Sequence, residues 1–468
     1  MKSSLPPPDV SFKALLRLAG PIYVANLAII GSGTIDTIMA GQLGKDHLAA
    51  IALGIASTIS VLMGLVGILQ GLSPIAGHHF GAQRYGRIGE ELVQNFWLAG
   101  LLSLIGVPIL LCTDFWISLG QVKGEVARMT AQYMFWTAMA LPFSMGARSF
   151  ISLNAAVSRP RVTMWVSLGM LALKAPLNAI FMYGWFGFPA LGGGGAGISF
   201  FTLSVLAFFT YLIIWKRDPF YKRMHVDRIT PPIWSFLKEQ LRVGVPIGLC
   251  TFFEVSSFTL MAIFVSRFGS EIISAHQIVA NLTSMCYMIP LSIGIATSVL
   301  ISQCLGARWP GIAFLVLKRS LLTTVVIAAV MSALLFILRE PIIWLYTREA
   351  GVHALACALV VFGCGYHVFD AMQTVSSFSL RGYRVTTLPM IVYGVMLWGV
   401  GLGCGYFLAF EGDWVGGPYG VYGFWGATAF GLLLTGVSLA TMSLWVGRHF
   451  SLDEEHSAEE IARVLAKK

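Results

Sequence analysis

Glu254 stands near the middle of a 24-residue run from Val243 to Ser266 that contains no other charged side chain; the nearest are Arg242 and Arg267. At about 1.5 Å per helical residue, either flank is roughly 18–20 Å away. A side chain cannot snorkel that far. Two more carboxylates are placed the same way. Asp36 is the only charge between Arg17 and Lys45, and Asp370 the only one between Glu349 and Arg381. A charge at the centre of a membrane helix costs roughly 2.5–3.5 kcal/mol or more, so such residues mark an ion, proton or substrate path unless they only tie helices together.

The neighbours suggest which chemistry. Phe258 follows Glu254 by four residues and Tyr366 precedes Asp370 by four, so each aromatic shares a helix face with its carboxylate. Ordinary helix packing also produces such pairs. Beside a buried carboxylate, however, an aromatic face can attract an organic cation through its quadrupole. A hard Na⁺ would take carboxylate, hydroxyl and carbonyl oxygens, whereas two carboxylates brought together without a metal would share a proton. Either ion neutralises the same site.

The elements that position these groups follow from composition. The chain is 56% hydrophobic and only 11% charged, with a mean hydropathy of +0.76 over 468 residues. It contains repeated apolar stretches of 18 or more residues, each long enough to cross a bilayer core of about 30 Å. We expect an all-α polytopic membrane protein, because the backbone at that depth must satisfy itself and nothing shows the dyad alternation of a membrane β-barrel. Twelve transmembrane helices are predicted, near 14–41, 48–79, 92–113, 130–152, 162–185, 195–215, 240–266, 276–304, 315–338, 352–378, 386–410 and 420–447. Bending is expected at Pro21 and Pro74.

With both ends in the cytosol, 23 of the 31 Lys and Arg residues fall in cytoplasmic segments and six in the opposite loops, leaving Arg148 and Lys174 within spans. This positive-inside bias fixes an even number of spans. The net charge of +9 is then a matter of topology and lipid headgroups, and gives no support to nucleic-acid binding.

The long polar connection after residue 215 divides the chain into a six-helix lobe at 1–215, a cytoplasmic linker at 216–239, a second six-helix lobe at 240–450 and a polar cytoplasmic tail at 451–468. An offset of 225 aligns Pro21 with Pro246, Gly44 with Gly269, Ala50 with Ala275, and Gly81-Ala82 with Gly306-Ala307, without a gap. That is an internal repeat. Two bundles related by a pseudo-two-fold axis along the membrane normal are expected, with the transport site between or within them.

Several chemistries lack support. The seven cysteines lie in apolar spans without a CxxC pair and read as small core residues. The His78-His79 pair reads as interfacial, and Gly192 to Gly195 as a loop. No P-loop, nucleophile elbow or kinase signature occurs, so an ATP-driven pump or a membrane enzyme is not expected. No cofactor is expected beyond a coupling ion.

The segments PIYVANLAIIGSGTIDTIMAGQLG, GLSPIAGHHFGAQR, GVPIGLCTFFEVSSFTLMAIFVSRFG and SAHQIVANLTSMCYMIPLSIGIATSVLISQCLGA resemble the multidrug and toxic compound extrusion (MATE) family, NorM-type branch, over about residues 14 to 447. The resemblance implies a V-shaped pair of six-helix bundles, a monomer in a bacterial inner membrane, exporting cationic amphipathic drugs in antiport with Na⁺ or H⁺. It implies that Glu254 and Asp370 carry the coupling cation, as metal ligands if the ion is Na⁺, with Phe258 and Tyr287 facing it and Tyr366 one turn from Asp370. It also implies a drug path that takes in Asp36, Gln277 and Asp370.

One segment departs from the family pattern. KAPLNAI usually begins with Asn and keeps the later Asn, both neighbouring the Asp of the first span; here they are Lys174 and Asn178. Lys174 is the only charge between Arg161 and Lys216, and its most economical partner is Asp36. If they pair, the ammonium already supplies the cation that Na⁺ or H⁺ would bring. Asp36, Lys174 and Asn178 then form a fixed polar network.

Two other classes compete. A lipid-linked-precursor flippase of the same superfamily should line its cleft with more cations to hold pyrophosphate than Lys174 and Arg148 provide. A channel or receptor needs neither the repeat nor buried acids in both halves.

Overall fold

A computed structural model describes residues 9–120, 122–224, 230–411 and 417–452. The predicted tail therefore lies outside the described residues from 453 on, as do residues 225–229 of the predicted linker.

The described chain is helical throughout. The long helices are α1 Phe12–Leu43, α2 Lys45–Leu69 continued by α3 Leu72–Gly81, α4 Tyr85–Leu111, α6 Gly124–Ala156, α7 Pro160–Tyr183, α8 Gly195–Arg217, α9 Trp234–Val265, α10 Ser270–Gly306, α11 Pro310–Ile337, α13 Ala350–Gly382 and α16 Val421–Leu452. Short helices α5 Thr113–Gly120 and α12 Arg339–Trp344 lie between them. The remaining long span runs from α14 Thr387–Tyr393 through a π-helix, Gly394–Cys404, into α15 Gly405–Phe410.

Among the described residues, eleven helices are long and apolar enough to cross a membrane. The twelfth expected span is α6, which is helical over 33 residues but carries Gln132, Ser144, Arg148 and Asn154. Its lower hydropathy reflects its place inside the bundle. It packs against α2, α4 and α8 and buries Tyr133, Met134, Leu141, Met145, Phe150 and Leu153.

One proline coincides with a break in a long segment, and others do not. Pro74 has no N–H to give to the carbonyl of Gln70, and the segment expected as one span divides there into α2 and α3, with Ser73 N–H donating to Gln70 O at 3.0 Å instead. Pro21 and Pro246 sit inside unbroken α1 and α9.

The repeat is visible in the backbone. Gly44 and Gly269 precede α2 and α10 with φ of 128° and 105°, a region that favours glycine. Ala82 and Ala307 end α3 and α10 with φ of −78° and −80°, and each is followed by a left-handed residue, Gln83 at 55° and Arg308 at 65°. These positions keep the offset of 225.

The chain forms two compact units, Gly20–Gly248 and the described residues of Met1–Ala19 with Leu249–Lys468. The divisions fall inside α1 and α9. In the first unit the core runs through Leu62, Leu69, Leu98, Leu141 and Met145, with a second cluster around Leu92, Phe150, Tyr211 and Tyr221. The start of α9 belongs to this unit because small residues let it approach α2 closely: a Cβ on Gly244 would lie 2.1 Å from the Ile68 carbonyl oxygen. Polar groups fasten it further. Gln240 donates to the Glu91 carboxylate at 2.7 Å and accepts from Asn95 at 3.0 Å, all three being buried. In the second unit α13 packs against α10, α11 and α16, and α16 also packs along the π-helix.

Candidate functional site

The lone carboxylates of the second unit meet through an amide. Glu254 on α9 and Asp370 on α13 are joined by Gln373, whose Nε2 donates to Glu254 Oε1 at 3.3 Å and to Asp370 Oδ1 at 3.1 Å. Tyr287 on α10 donates its hydroxyl to the same Glu254 oxygen at 3.0 Å. Three helices thus converge on one acidic cluster. Asp370 is buried and Glu254 half-buried. Among the described residues neither carboxylate has a Lys, Arg or His within ion-pair distance.

The donor set is all oxygen. Two carboxylates and the Tyr287 hydroxyl meet at the Gln373 amide, whose Oε1 is buried without a hydrogen-bond partner among the described residues. Such a set suits a hard, singly charged cation or a proton. No group of three or more His, Cys, Asp or Glu side chains is gathered for metal binding among the described residues.

The remaining expected site residues sit around this cluster or apart from it. Tyr366 is buried one turn from Asp370 and stacks on Trp425, with ring centroids 5.9 Å apart at 22°; His276 meets the same indole edge-on at 5.6 Å. Phe258 lines a void of about 10 Å³ with Ser257, Leu397, Gly401 and Thr428, room for roughly one water. Gln277 is exposed on α10. Further along α13, buried Arg381 lays its guanidinium 4.0 Å from the Phe378 ring centroid.

The first unit builds a different site. Asp36 on α1 and Lys174 on α7 are 4% and 1% exposed. The ammonium lies 2.9 Å from Asp36 Oδ1, and Asn178, one turn after Lys174, donates to the same oxygen at 2.7 Å. One carboxylate is neutralised by one ammonium and oriented by one amide. Pro160 at the start of α7 and Gly184 at its end delimit the helix that sets the four-residue spacing of Lys174 and Asn178.

A second ion pair lies outside the spans. Arg159, before α7, pairs with Asp218, after α8. Burial alone would raise the Asp218 carboxyl, but the Phe220 backbone N–H at 2.9 Å and the Arg159 guanidinium outweigh it and hold it below the ordinary value of 3.8.

Reasoning from lone charges misses two features. Gln373 is neutral and sits among Thr374, Ser376, Ser377 and Ser379, so nothing sets it apart except its position three residues after Asp370. Glu91 falls next to a span boundary and reads as cytoplasmic, yet α4 begins at Tyr85 and Glu91 is 1% exposed.

This geometry can be set beside known proteins. The sequence profile described as MatE matches residues 21–180 and 246–407. A probable multidrug resistance protein NorM of Aromatoleum aromaticum is 39% identical over 435 residues, covering 92% of this chain and 94% of its own. The multidrug resistance protein NorM of Vibrio cholerae is 32% identical, with coverage of 92% and 95%. Among solved structures, the fold is similar to the eukaryotic MATE transporter AtDTX14, with a TM-score of 0.84 at 20% identity over 94% of this chain and 98% of that one.

Proposed function

The chain belongs to the MatE family, and from that premise we propose that it is a secondary transporter exporting cationic, amphipathic drugs in antiport with Na⁺ or H⁺. The observation that carries this reading is the Glu254–Gln373–Asp370 cluster. It is an acidic oxygen site inside the spans in which, among the described residues, neither carboxylate has a Lys, Arg or His within ion-pair distance. Relatives with multidrug resistance names support the drug class.

In this reading Glu254 and Asp370 bind the coupling ion, Tyr287 and Gln373 supply neutral oxygens and hold the two carboxylates in register, and Phe258 and Tyr366 shape the apolar wall. Gln277 and Asp370 contact the drug. Asp36, already paired with Lys174, acts as a fixed strut in place of a second coupling site.

A ligand moves a conformational equilibrium only through its different affinity for the two states. For antiport, ion and drug must therefore favour different states, and each must weaken the other's binding by the same factor. The Lys and Arg bias supports both termini being cytoplasmic, and the bacterial relatives support an inner-membrane location. A lipid-precursor flippase is less well supported, because Lys174, one of the cations within the spans, is already used by Asp36.

The test is efflux of a fluorescent cation from energised vesicles, with and without sodium. The proposal predicts export that stops when both ion gradients are collapsed. Export that continues without either gradient would contradict it.

A further inference from the structure

Toward the opposite end of α10 from Gly269, a cleft of about 140 Å³ opens between the start of α1, α10 and the 316–323 stretch of the N-terminal half of α11. Its wall is two-faced. Phe12, Leu300 and Leu322 give it an apolar side, while Ser11, Arg319 and Ser320 give it a polar one. The volume admits a headgroup and not merely a single water.

Three observations at this cleft point to an anion. Arg319 is exposed and makes no ion pair among the described residues. Ser320, 1% exposed, is among the residues lining the cleft, and its hydroxyl is buried with no hydrogen-bond partner among the described residues. Finally, the cleft meets the N-terminus of a 32-residue helix, where unpaired N–H groups and the helix dipole favour negative charge. Ser11 Oγ caps Ala14 N–H at 3.1 Å and Asp9 accepts from Ser11 N–H at 3.0 Å, so that among the described residues the N–H groups of Phe12 and Lys13 have no hydrogen-bond acceptor. The Asp9 carboxylate is a competing negative charge, and Lys13 and Arg17 of α1 outnumber it nearby in the chain.

We propose that this cleft binds the phosphodiester headgroup of an anionic phospholipid from the leaflet facing the chain termini. Arg319 pairs with the phosphate, the Ser320 hydroxyl donates to it, and an acyl chain lies against Phe12 and Leu322. A free phosphate offers the same charge but nothing for the apolar wall. A basic pocket between helices at the cytoplasmic level has the chemistry that anionic lipids select. The lipid would fasten the start of α1 to α11, independently of which ion or drug the acidic cluster takes.

The test uses the full-length purified protein, stripped of lipid in detergent and titrated with dioleoylphosphatidylglycerol, dioleoylphosphatidylcholine, or inorganic phosphate, with retention read by native mass spectrometry. Wild type should hold the glycerol lipid about tenfold more tightly than the choline lipid. Arg319→Gln should abolish that preference and Ser320→Ala should weaken it. Lys318→Gln, whose ammonium lies over Phe314 at 4.3 Å outside the cleft, should leave it unchanged. Wild-type protein with no preference between the lipids would overturn the proposal, whether or not the variants fold. So would full retention by Arg319→Gln, or displacement of the lipid by millimolar inorganic phosphate, which would make the ligand a free anion.

Discussion

The two units treat a buried acid in opposite ways. In the first, Asp36 has a permanent counter-ion, Lys174 at 2.9 Å, with Asn178 completing the site. In the second, Glu254 and Asp370 share one amide, Gln373, and have Tyr287 as a neutral donor, and among the described residues no ammonium or guanidinium lies within ion-pair distance of either. An acid with a built-in cation has no need of an ion from solution. Two acids held together by neutral groups leave negative charge that a mobile cation can compensate. The repeat thus supplies two similar frameworks, marked by Gly44 and Gly269, and the side chains give them different electrostatic tasks.

The largest effect expected from breaking this contrast is in the second unit. Glu254→Gln and Asp370→Asn should each reduce ion-driven efflux to the level of vesicles without transporter, while membrane insertion stays normal. Drug resistance at wild-type level in either variant, at equal expression, would remove that residue from the coupling site.

In the first unit the prediction concerns stability. Removing one member of a buried pair typically costs about 3–5 kcal/mol, whereas removing both can be nearly neutral. Asp36→Asn and Lys174→Met alone should lower the folded yield and the thermal midpoint, and the double variant should recover most of the loss. Additive losses would mean that the two charges do not depend on each other.

Gln373→Leu comes next. A hydrogen bond to a charged group is worth about 1.5–3 kcal/mol, so cation affinity should fall by roughly tenfold or more, and Tyr287→Phe should have a smaller effect of the same kind. Unchanged affinity in Gln373→Leu would show that the amide merely fills space.

The smallest effect is at the Arg159–Asp218 pair. Because the folded Asp218 carboxyl is held below its ordinary value, the pair contributes stability above that value and loses it as pH falls through the folded one. Asp218→Asn should therefore cost at most about 1 kcal/mol near neutral pH, and the difference from wild type should shrink and disappear as pH falls through the lowered folded value. Stability curves that diverge on acidification would reverse the assigned sign.

Much of this was legible in the sequence, for reasons that differ by residue. Membrane helices announce themselves by length and apolarity, and the lone charges Asp36, Lys174, Glu254 and Asp370 stand out because the bilayer makes each of them expensive. The pairing of Asp36 with Lys174 follows from opposite sign and scarcity of partners. Helix α6 is the weakest span by composition because it buries its polar groups against protein, so its hydropathy understates its depth. Gln373 stayed hidden because an amide carries no charge to advertise itself. The Glu91–Gln240 contact joins residues 149 positions apart, and no local pattern encodes it. The break at Gln70 was foreshadowed by Pro74, while the π-helix at Gly394–Cys404 has no periodic signature that distinguishes it from an α-helical span.

The most direct test counts the cations displaced when drug binds. Ethidium is titrated into purified protein in detergent, in lightly buffered solution with trace sodium, while released Na⁺ and H⁺ are measured together. Wild type and the Asp36→Asn/Lys174→Met double variant should both release a cation on binding drug, and Glu254→Gln should release none. Release that persists in Glu254→Gln and disappears in the double variant would place the exchangeable cation in the first unit and contradict the account.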